Sequence, residues 1–466
     1  MPRGALMHSD IRGLTLTTDS ADAVEGFNET MRQYMEYRAG AGEAIKQMLG
    51  ADPDFVMGNC FKGYLFNLFA TSAMRPKIEE SLAAAEAGVS KVTAREAAHV
   101  DALRAWTKGD VGNACKIWDA ILLDHPHDLL ALRLQHYNSF WMGHTQDIRD
   151  SVARVIDQWD DSVPGYSSVQ GMYAFGLEEC GEYARAEEFG RQAVESNPDD
   201  LWAIHAVAHT LEMQGRLREG MEWLNYPADA WDDRNPFRGH LWWHLTMYSV
   251  EAGDYDTVLE LFDRSVQPPV WDFYLDVQNG ASMLLRLDLL GVDVGDRWKA
   301  MADAMERHVD DHVLAFTDTH AMMALAADKR FDAAENLLAS LHEFGDTPEN
   351  FAATTMESTT IPVCQALLDF AKNDCGAVVD TLLPLRYDLA CIGGSHAQRD
   401  VFHQLLIEAT IRDKQFTLAR ALLSERLAQK PNSHGSWLKY AETLAALGDT
   451  QRATAARERA DAVLSS

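Results

Sequence analysis

The feature that most constrains this 466-residue chain is a helical pattern that recurs about every 34 residues. Apolar residues return at helical spacing almost from end to end, and the alternation typical of strands is nearly absent. Short turn signals separate the helices, and each is followed by a helix that carries alanine near its start. The turn signals are Gly109-Asp110, Gly181-Glu182-Tyr183, Gly215-Arg216, Gly253-Asp254-Tyr255, Lys329-Arg330-Phe331, Lys414-Gln415-Phe416 and Gly448-Asp449.

Several repeats close on Asn-Pro or Pro-Asn, as at Asn197-Pro198 and Pro431-Asn432. Small residues let two helices approach closely, and proline ends the second helix because it cannot continue it. Helix, tight turn, alanine-containing helix and proline make up the tetratricopeptide pattern. The sequence therefore predicts an all-α fold, an irregular tetratricopeptide-like superhelix of helix hairpins (an α-solenoid) with an enclosed or concave central cavity. Residues 1–95 are predicted to form a helical cap and residues 96–466 the repeat superhelix, as one continuous structural unit.

The charge balance limits the classes of partner. The chain has 41 basic and 71 acidic residues, a net charge of −30, and the acidic residues are dispersed through the helices. Such a surface repels nucleic-acid phosphates and anionic lipid headgroups, so we expect neither nucleic acid nor a membrane as partner. The first residues lack the apolar segment of a signal peptide, and the six cysteines are scattered without a CxxC pair. We therefore expect a cytoplasmic protein with free thiols.

Two pairs of histidines stand four residues apart, His205 with His209 and His240 with His244. The pairs are separated by about one repeat, and stacked repeats bring equivalent positions side by side. With Gly215 at the turn, the histidines fall on the concave face, where we expect them to converge as candidate catalytic residues. Candidate ligand-binding residues on the same face are Trp202, Trp243, Glu178, Glu179, Glu212, Asp276, Asn279, His320, Glu357, Arg399 and Asp400.

Three interpretations of the histidines remain open. Four imidazoles could bind a metal ion, although Ala-Val-Ala between His205 and His209 excludes the HExxH metalloprotease motif. They could act as general acids and bases near neutral pH. They could instead be structural, half-buried in a hydrogen-bond network with Glu178, Glu179 and Glu212. The sequence requires no metal and no other cofactor.

The favoured function is a binding protein whose concave pocket holds a small polar molecule or a peptide. The pocket positions carry His, Trp, Glu and Asp rather than the Lys, Arg and Asn of a peptide-carboxylate clamp. This favours a cationic or neutral small molecule. The alternatives are an enzyme that uses the four histidines on a small molecule, and an assembly scaffold, a homo-oligomer included, in which the histidines are structural.

Many distinctive segments also occur in the order typical of one family. They include WAIHAVAHTLEMQG, GHLWWHLTMYSVEAGDYD and LPLRYDLACIGGSHAQRDVFHQLL. On these segments the chain resembles the tetratricopeptide repeat protein 38 family over most of its length. The resemblance implies an irregular α-helical repeat fold and no particular chemistry. It also marks both histidine pairs, Trp243 and the segment 393–400, and it makes His396 and His403 weaker candidates than Arg399 and Asp400, because animal members commonly carry asparagine there.

Overall fold

A computed structural model describes residues 7–347 and 350–465. The first six residues of the predicted cap and Ser466 lie outside the described residues. The chain divides into two compact units. The first unit comprises the described residues up to Val207, with Trp231–Phe237 and Thr347–Thr354, and the second comprises Ala208–Ala230, Arg238–Asp346 and the chain from Thr355. The division into a cap at residues 1–95 and a superhelix at residues 96–466 stays a prediction.

The first unit begins with a small antiparallel hairpin of β1 (Met7–Ser9) and β2 (Thr15–Thr17), in which His8 pairs with Leu16. Helices follow, and consecutive ones pack as hairpins. They are α1 (Ala21–Met35), α2 (Ala41–Ala51), α3 (Val56–Asn67), α4 (Arg75–Gly88), α5 (Ala94–Thr107), α6 (Val111–Asp124), α7 (Leu129–Trp141), α8 (Thr145–Ala153), α9 (Tyr166–Glu179) and α10 (Tyr183–Ser196). Helix α11 (Leu201–Met213) belongs to the first unit up to Val207 and to the second from Ala208.

The second unit continues with the same alternation of helix and tight turn. Its helices are α12 (Leu217–Trp223), α13 (Phe237–Glu251, with Phe237 in the first unit), α14 (Tyr255–Leu261), α15 (Tyr274–Leu289), α16 (Arg297–Met305), α17 (Ala315–Ala327), α18 (Phe331–Gly345), α19 (Ile361–Ala371), α20 (Cys375–Leu385), α21 (His396–Arg412), α22 (Phe416–Gln429), α23 (His434–Ala446) and α24 (Thr450–Ser465). Single-turn 3₁₀ or π segments lie at Ser72–Met74, Val89–Lys91, Ile156–Gln158, Phe262–Val266, Ala352–Thr355, Met356–Thr360 and Leu389–Ile392.

The predicted turn signals end helices by a left-handed residue. Gly181 has φ 77° and Gly215 has φ 67°, a conformation that glycine adopts without steric cost. Lys329 (φ 58°) and Lys414 (φ 60°) adopt the same conformation at the equivalent turns. These backbone angles explain why the helices end at the turn signals identified in the sequence.

Within the second unit, alternate helices pack against one another. Helix α15 packs against α17, and α17 packs against α19. Helix α15 also packs against α21, three hairpins later in the chain. The prediction of an all-α fold of repeated helix hairpins is confirmed.

The helical pattern of the sequence does not predict β1 and β2, and β2 is hydrogen-bonded to α5. Arg95 donates to the carbonyl of Thr15 at 2.6 Å, and the Thr17 amide donates to Glu96 at 2.8 Å. The six cysteines are free thiols, as the sequence predicts. Among the described residues, no helix combines the length and the apolar character needed to cross a bilayer.

Candidate functional site

Three of the four candidate histidines meet inside the second unit. His209 lies on α11, and His240 and His244 lie one turn apart on α13. All three are buried, and one ring nitrogen from each lies within 4.8 Å of those of the other two. The ring centroids of His209 and His244 are 4.4 Å apart, and those of His240 and His244 are 4.8 Å apart. The i, i+4 spacing brings His240 and His244 together on α13, whereas His209 approaches them from a different helix, α11.

Two of these imidazoles are oriented by acceptors on neighbouring helices. The Nδ1 of His240 lies 2.7 Å from Oδ1 of Asn279 on α15. The Nδ1 of His244 lies 3.0 Å from Oε2 of Glu212 on α11. Because a side-chain amide oxygen and a carboxylate oxygen accept, each Nδ1 carries the proton and donates it. The lone pair of each ring therefore resides on Nε2.

The environment holds these histidines neutral. Burial lowers the pKa of His240 to about 3, and nearby His244 adds to the effect. Burial, with Arg286 and Lys430, lowers the pKa of His244 to about 3. Burial also lowers the pKa of His209 well below its ordinary value, reinforced by His244. At neutral pH all three imidazoles are therefore uncharged.

The walls around the histidines contain further buried polar side chains. Trp243 stacks on His240 at a centroid distance of 5.2 Å, and the Arg286 guanidinium lies over the Trp243 ring at 5.5 Å. His320 on α17 is buried, and its Nδ1 donates to the Phe316 carbonyl at 2.7 Å. We call this set the buried polar cluster: His209, Glu212, His240, Trp243, His244, Asn279, Arg286 and His320.

In the described part of the chain, Oε1 of Glu212 accepts no hydrogen bond and lies 3.6 Å from the ammonium of Lys430. Four further atoms of the buried polar cluster also lack a hydrogen-bond partner: Nε1 of Trp243, Nδ2 of Asn279, Nε of Arg286 and Nε2 of His320. Each of these four residues is at most 1% exposed. An unsatisfied buried polar group costs about 1–3 kcal/mol, so these four atoms are hydrogen-bonding capacity that the described residues leave unused.

Arg286 was not among the residues that the sequence singled out. It is fully buried on α15, and its Nη2 donates to the carbonyl of Ala397 on α21 at 2.7 Å. Burial lowers the pKa of Arg286 to about 10, although Asp400 and Glu212 favour the charged form. The signal was present in SMLLRLDLL, where one arginine is surrounded by leucines. A cation in such a run has to be buried with polar partners.

Asp400 belongs to an ion-pair network next to the buried polar cluster. It pairs with Arg426 on α22 and lies 3.8 Å from the ammonium of Lys430, which also lies 3.6 Å from Glu212. Arg426 in turn lies 3.7 Å from Glu251. Arg399 donates to the Gly394 carbonyl, and Asp400 pairs with Arg426 on α22.

Asp276 and Glu357 differ from the other second-unit candidates. Asp276 is buried, and burial raises its pKa to about 7, with the Asp272 charge acting in the same direction. Glu357 is largely exposed and pairs with His342 at 2.8 Å. Glu357 therefore stands outside the buried polar cluster.

The remaining candidates lie in the first unit. Trp202 and His205 pack with Phe175, at centroid distances of 4.7 and 5.4 Å. The guanidinium of Arg133, a second buried arginine from a leucine-rich run, lies 4.4 Å from the Trp202 ring centroid. Glu178 and Glu179 are buried near the end of α9. In this unit, Trp202 and His205 therefore belong to an aromatic group with Phe175, and Arg133 packs on the Trp202 ring.

No family model matches the chain. Solved structures similar to it include the human IFIT1 dimer with m7Gppp-AAAA, at 15% identity over 96% of this chain and 95% of that chain, with a TM-score of 0.36. The TPR domain of P58(IPK) matches at 12% identity over 79% of this chain and 92% of that chain, with a TM-score of 0.22. The APC/C hetero-tetramer Cut9-Hcn1 matches at 12% identity over 94% of this chain and 92% of that chain, with a TM-score of 0.33. These likenesses concern helical repeat folds and carry no argument about ligand or partner.

Proposed function

We propose that this chain is a tetratricopeptide-type binding protein that holds a small polar ligand at the buried polar cluster of its second unit. The observation that carries the proposal is the set of four unsatisfied polar atoms on Trp243, Asn279, Arg286 and His320, all in side chains at most 1% exposed. A ligand that satisfies these atoms recovers the free energy that their burial costs. The finer assignment to the tetratricopeptide repeat protein 38 family, made on the sequence segments above, is part of the same proposal.

The donor and acceptor pattern favours one class of ligand. Trp243 Nε1, Asn279 Nδ2 and Arg286 Nε carry hydrogens and can only donate. His320 Nε2 accepts, because its Nδ1 donates to Phe316. Three donors, one of them on a cation, are complementary to a carboxylate or another acceptor-rich group. The proposed ligand is therefore a small carboxylate, in contrast to the cationic or neutral molecule that the sequence favoured.

Mass spectrometry of the full chain tests the proposal. In native conditions we expect a mass excess over the polypeptide that disappears on unfolding. The protein should also be stabilised against heat by millimolar benzoate or glutarate, but not by benzyl alcohol or 1,5-pentanediol. A carboxylate at a hundred times its Kd contributes about 2.7 kcal/mol. A chain with neither a mass excess nor a carboxylate-specific rise in Tm would contradict the proposal.

Matched tryptophan variants separate binding from packing. Trp243→Phe keeps an aromatic ring and removes the unsatisfied donor, so carboxylate stabilisation should fall. Trp118→Phe is the control, because Trp118 is equally buried in the first unit and its Nε1 already donates to Tyr64 at 3.3 Å. Equal losses in the two variants would assign the effect to general destabilisation.

A further inference from the structure

A second property of the buried polar cluster concerns its three neutral histidines, and it does not depend on the carboxylate ligand. We propose that His209, His240 and His244 together bind one divalent transition-metal ion, with Zn²⁺ the ion that best suits the site. Three imidazoles are a known protein ligand set for zinc and leave one position for water or a ligand oxygen. Imidazole also suits copper, iron and nickel, whereas magnesium and calcium prefer oxygen ligands.

The geometry of the nitrogens supports coordination of a single ion. One ring nitrogen of each histidine lies within 4.8 Å of those of the other two. Zinc–nitrogen bonds of about 2.0–2.1 Å in a tetrahedral arrangement bring the ligand nitrogens to about 3.3 Å from one another. Rotation of the rings would close this difference, because the ring centroids already lie 4.4 Å apart for His209 and His244 and 4.8 Å apart for His240 and His244.

The hydrogen bonds outside the histidines have the pattern found around metal ligands. A metal-binding imidazole donates its other ring N–H to a carboxylate or an amide oxygen, which fixes the tautomer and the ring orientation. His244 donates to Glu212, and His240 donates to Asn279. Both therefore present Nε2 as the ligand atom. Glu212 also places a negative charge beside the ion, which reduces the cost of burying a dication near Arg286.

The surroundings suit a tightly held ion. Trp243 packs on His240 at 5.2 Å and on His244 at 4.9 Å between ring centroids. Trp243 is itself fully buried, so the ligand set is covered by an apolar ring. Such a covering restricts access of water and strengthens the bond between ion and imidazole. A bound ion would also offer its open position to an oxygen of the carboxylate proposed above.

The first test uses the wild-type chain, so it does not depend on the folding of any variant. Protein dialysed against a chelator is titrated with Zn²⁺ in competition with a chromophoric indicator, and then with Co²⁺, whose visible absorption reports nitrogen ligands in a tetrahedral field. We expect one equivalent of Zn²⁺ with sub-micromolar Kd, and Co²⁺ absorption that Zn²⁺ abolishes. Failure to take up either ion would overturn the proposal.

Three variants test whether the ion binds at His209, His240 and His244. His244→Gln should weaken zinc binding by more than 100-fold. Glu212→Gln should weaken it by about 10–100-fold, because the substitution removes the negative charge of the group to which His244 donates and leaves a neutral amide oxygen as the acceptor. His136→Gln is the matched control, because His136 is an equally buried histidine on α7 of the first unit, outside the buried polar cluster. The zinc affinity of this variant should stay within about threefold of wild type. Equal losses in His136→Gln and His244→Gln would overturn the assignment.

The metal proposal and the ligand proposal fail separately. Zinc binding in a protein that no carboxylate stabilises would uphold the ion and overturn the proposed carboxylate. Stabilisation by benzoate in a protein that takes up neither Zn²⁺ nor Co²⁺ would do the reverse. Circular dichroism of each variant identifies those that have lost the fold, and for these the wild-type Co²⁺ spectrum decides.

Discussion

Replacing Asp400 by asparagine tests how much the negative charge of Asp400 stabilises the buried cations of the ion-pair network beside the buried polar cluster. Asp400 is only 8% exposed, and it pairs with Arg426, which is 9% exposed. Burial alone would raise the pKa of Asp400, but Arg426 and Lys430 hold it well below its ordinary value. Asparagine keeps the size and one acceptor oxygen and removes the charge. Arg426 would then keep Glu251, at 3.7 Å, as its nearest other carboxylate in the described chain.

The magnitude follows from the cost of leaving a buried charge undercompensated. Removal of one partner of a buried ion pair typically costs about 3–5 kcal/mol. The remaining contact with Glu251 offsets part of this, so we expect Asp400→Asn to destabilise the second unit by about 2–4 kcal/mol. Because the pKa of Asp400 is depressed in the folded state, its contribution is fully present above the ordinary pKa of 3.8 and is lost as pH falls below that value.

Native-state hydrogen exchange at neutral pH measures the effect where it arises. Amides of α21 and α22 should exchange roughly 30–1,000-fold faster in the variant, which corresponds to about 2–4 kcal/mol. The control is Asp380→Asn, the same change at an exposed position of α20, which should alter stability by less than about 0.5 kcal/mol. Adding Arg426→Met to Asp400→Asn should recover part of the loss. A loss below about 1 kcal/mol in Asp400→Asn would refute the reasoning.

Two further predictions concern a buried carboxyl and a close helix contact. Because the pKa of Asp276 rises from 3.8 to about 7 in the folded state, this carboxyl contributes most to the free energy of unfolding below pH 3.8. That contribution is lost as pH rises to about 7, because the carboxyl ionises more readily in the unfolded chain. Urea denaturation should therefore find Asp276→Asn more stable than the wild type by up to about 4 kcal/mol at pH 8, with the gain shrinking as pH falls towards 4; a gain independent of pH would contradict this. Gly220→Ala would bring a Cβ into the ring of Tyr248, whose hydroxyl donates to the Ala208 carbonyl at 2.5 Å, and should lower stability by about 1–3 kcal/mol in thermal unfolding. Gly112→Ala meets no atom within 4 Å and serves as its control, so a similar loss there would rule out the proposed clash.

Local sequence patterns were sufficient for the fold class and for part of the candidate site. The turn at Gly215 and the i, i+4 spacing depend on residues within a few positions of one another, which is why helix ends and helix faces could be predicted. The i, i+4 spacing predicts that His240 and His244 lie near each other on α13, where their ring centroids are 4.8 Å apart. It could not distinguish a buried position from an exposed one, and Glu357, assigned to the concave face, is largely exposed.

The sequence by itself determined that this chain forms helix hairpins of tetratricopeptide type, because periodicity, small residues and turn punctuation are local properties of the polypeptide. Only the tertiary structure decided that Asn279 orients His240, that Glu212 orients His244, and that Arg286 reaches α21. These contacts join residues 32–111 positions apart. They depend on how whole helices pack against one another, and helical spacing alone does not specify which helices become neighbours.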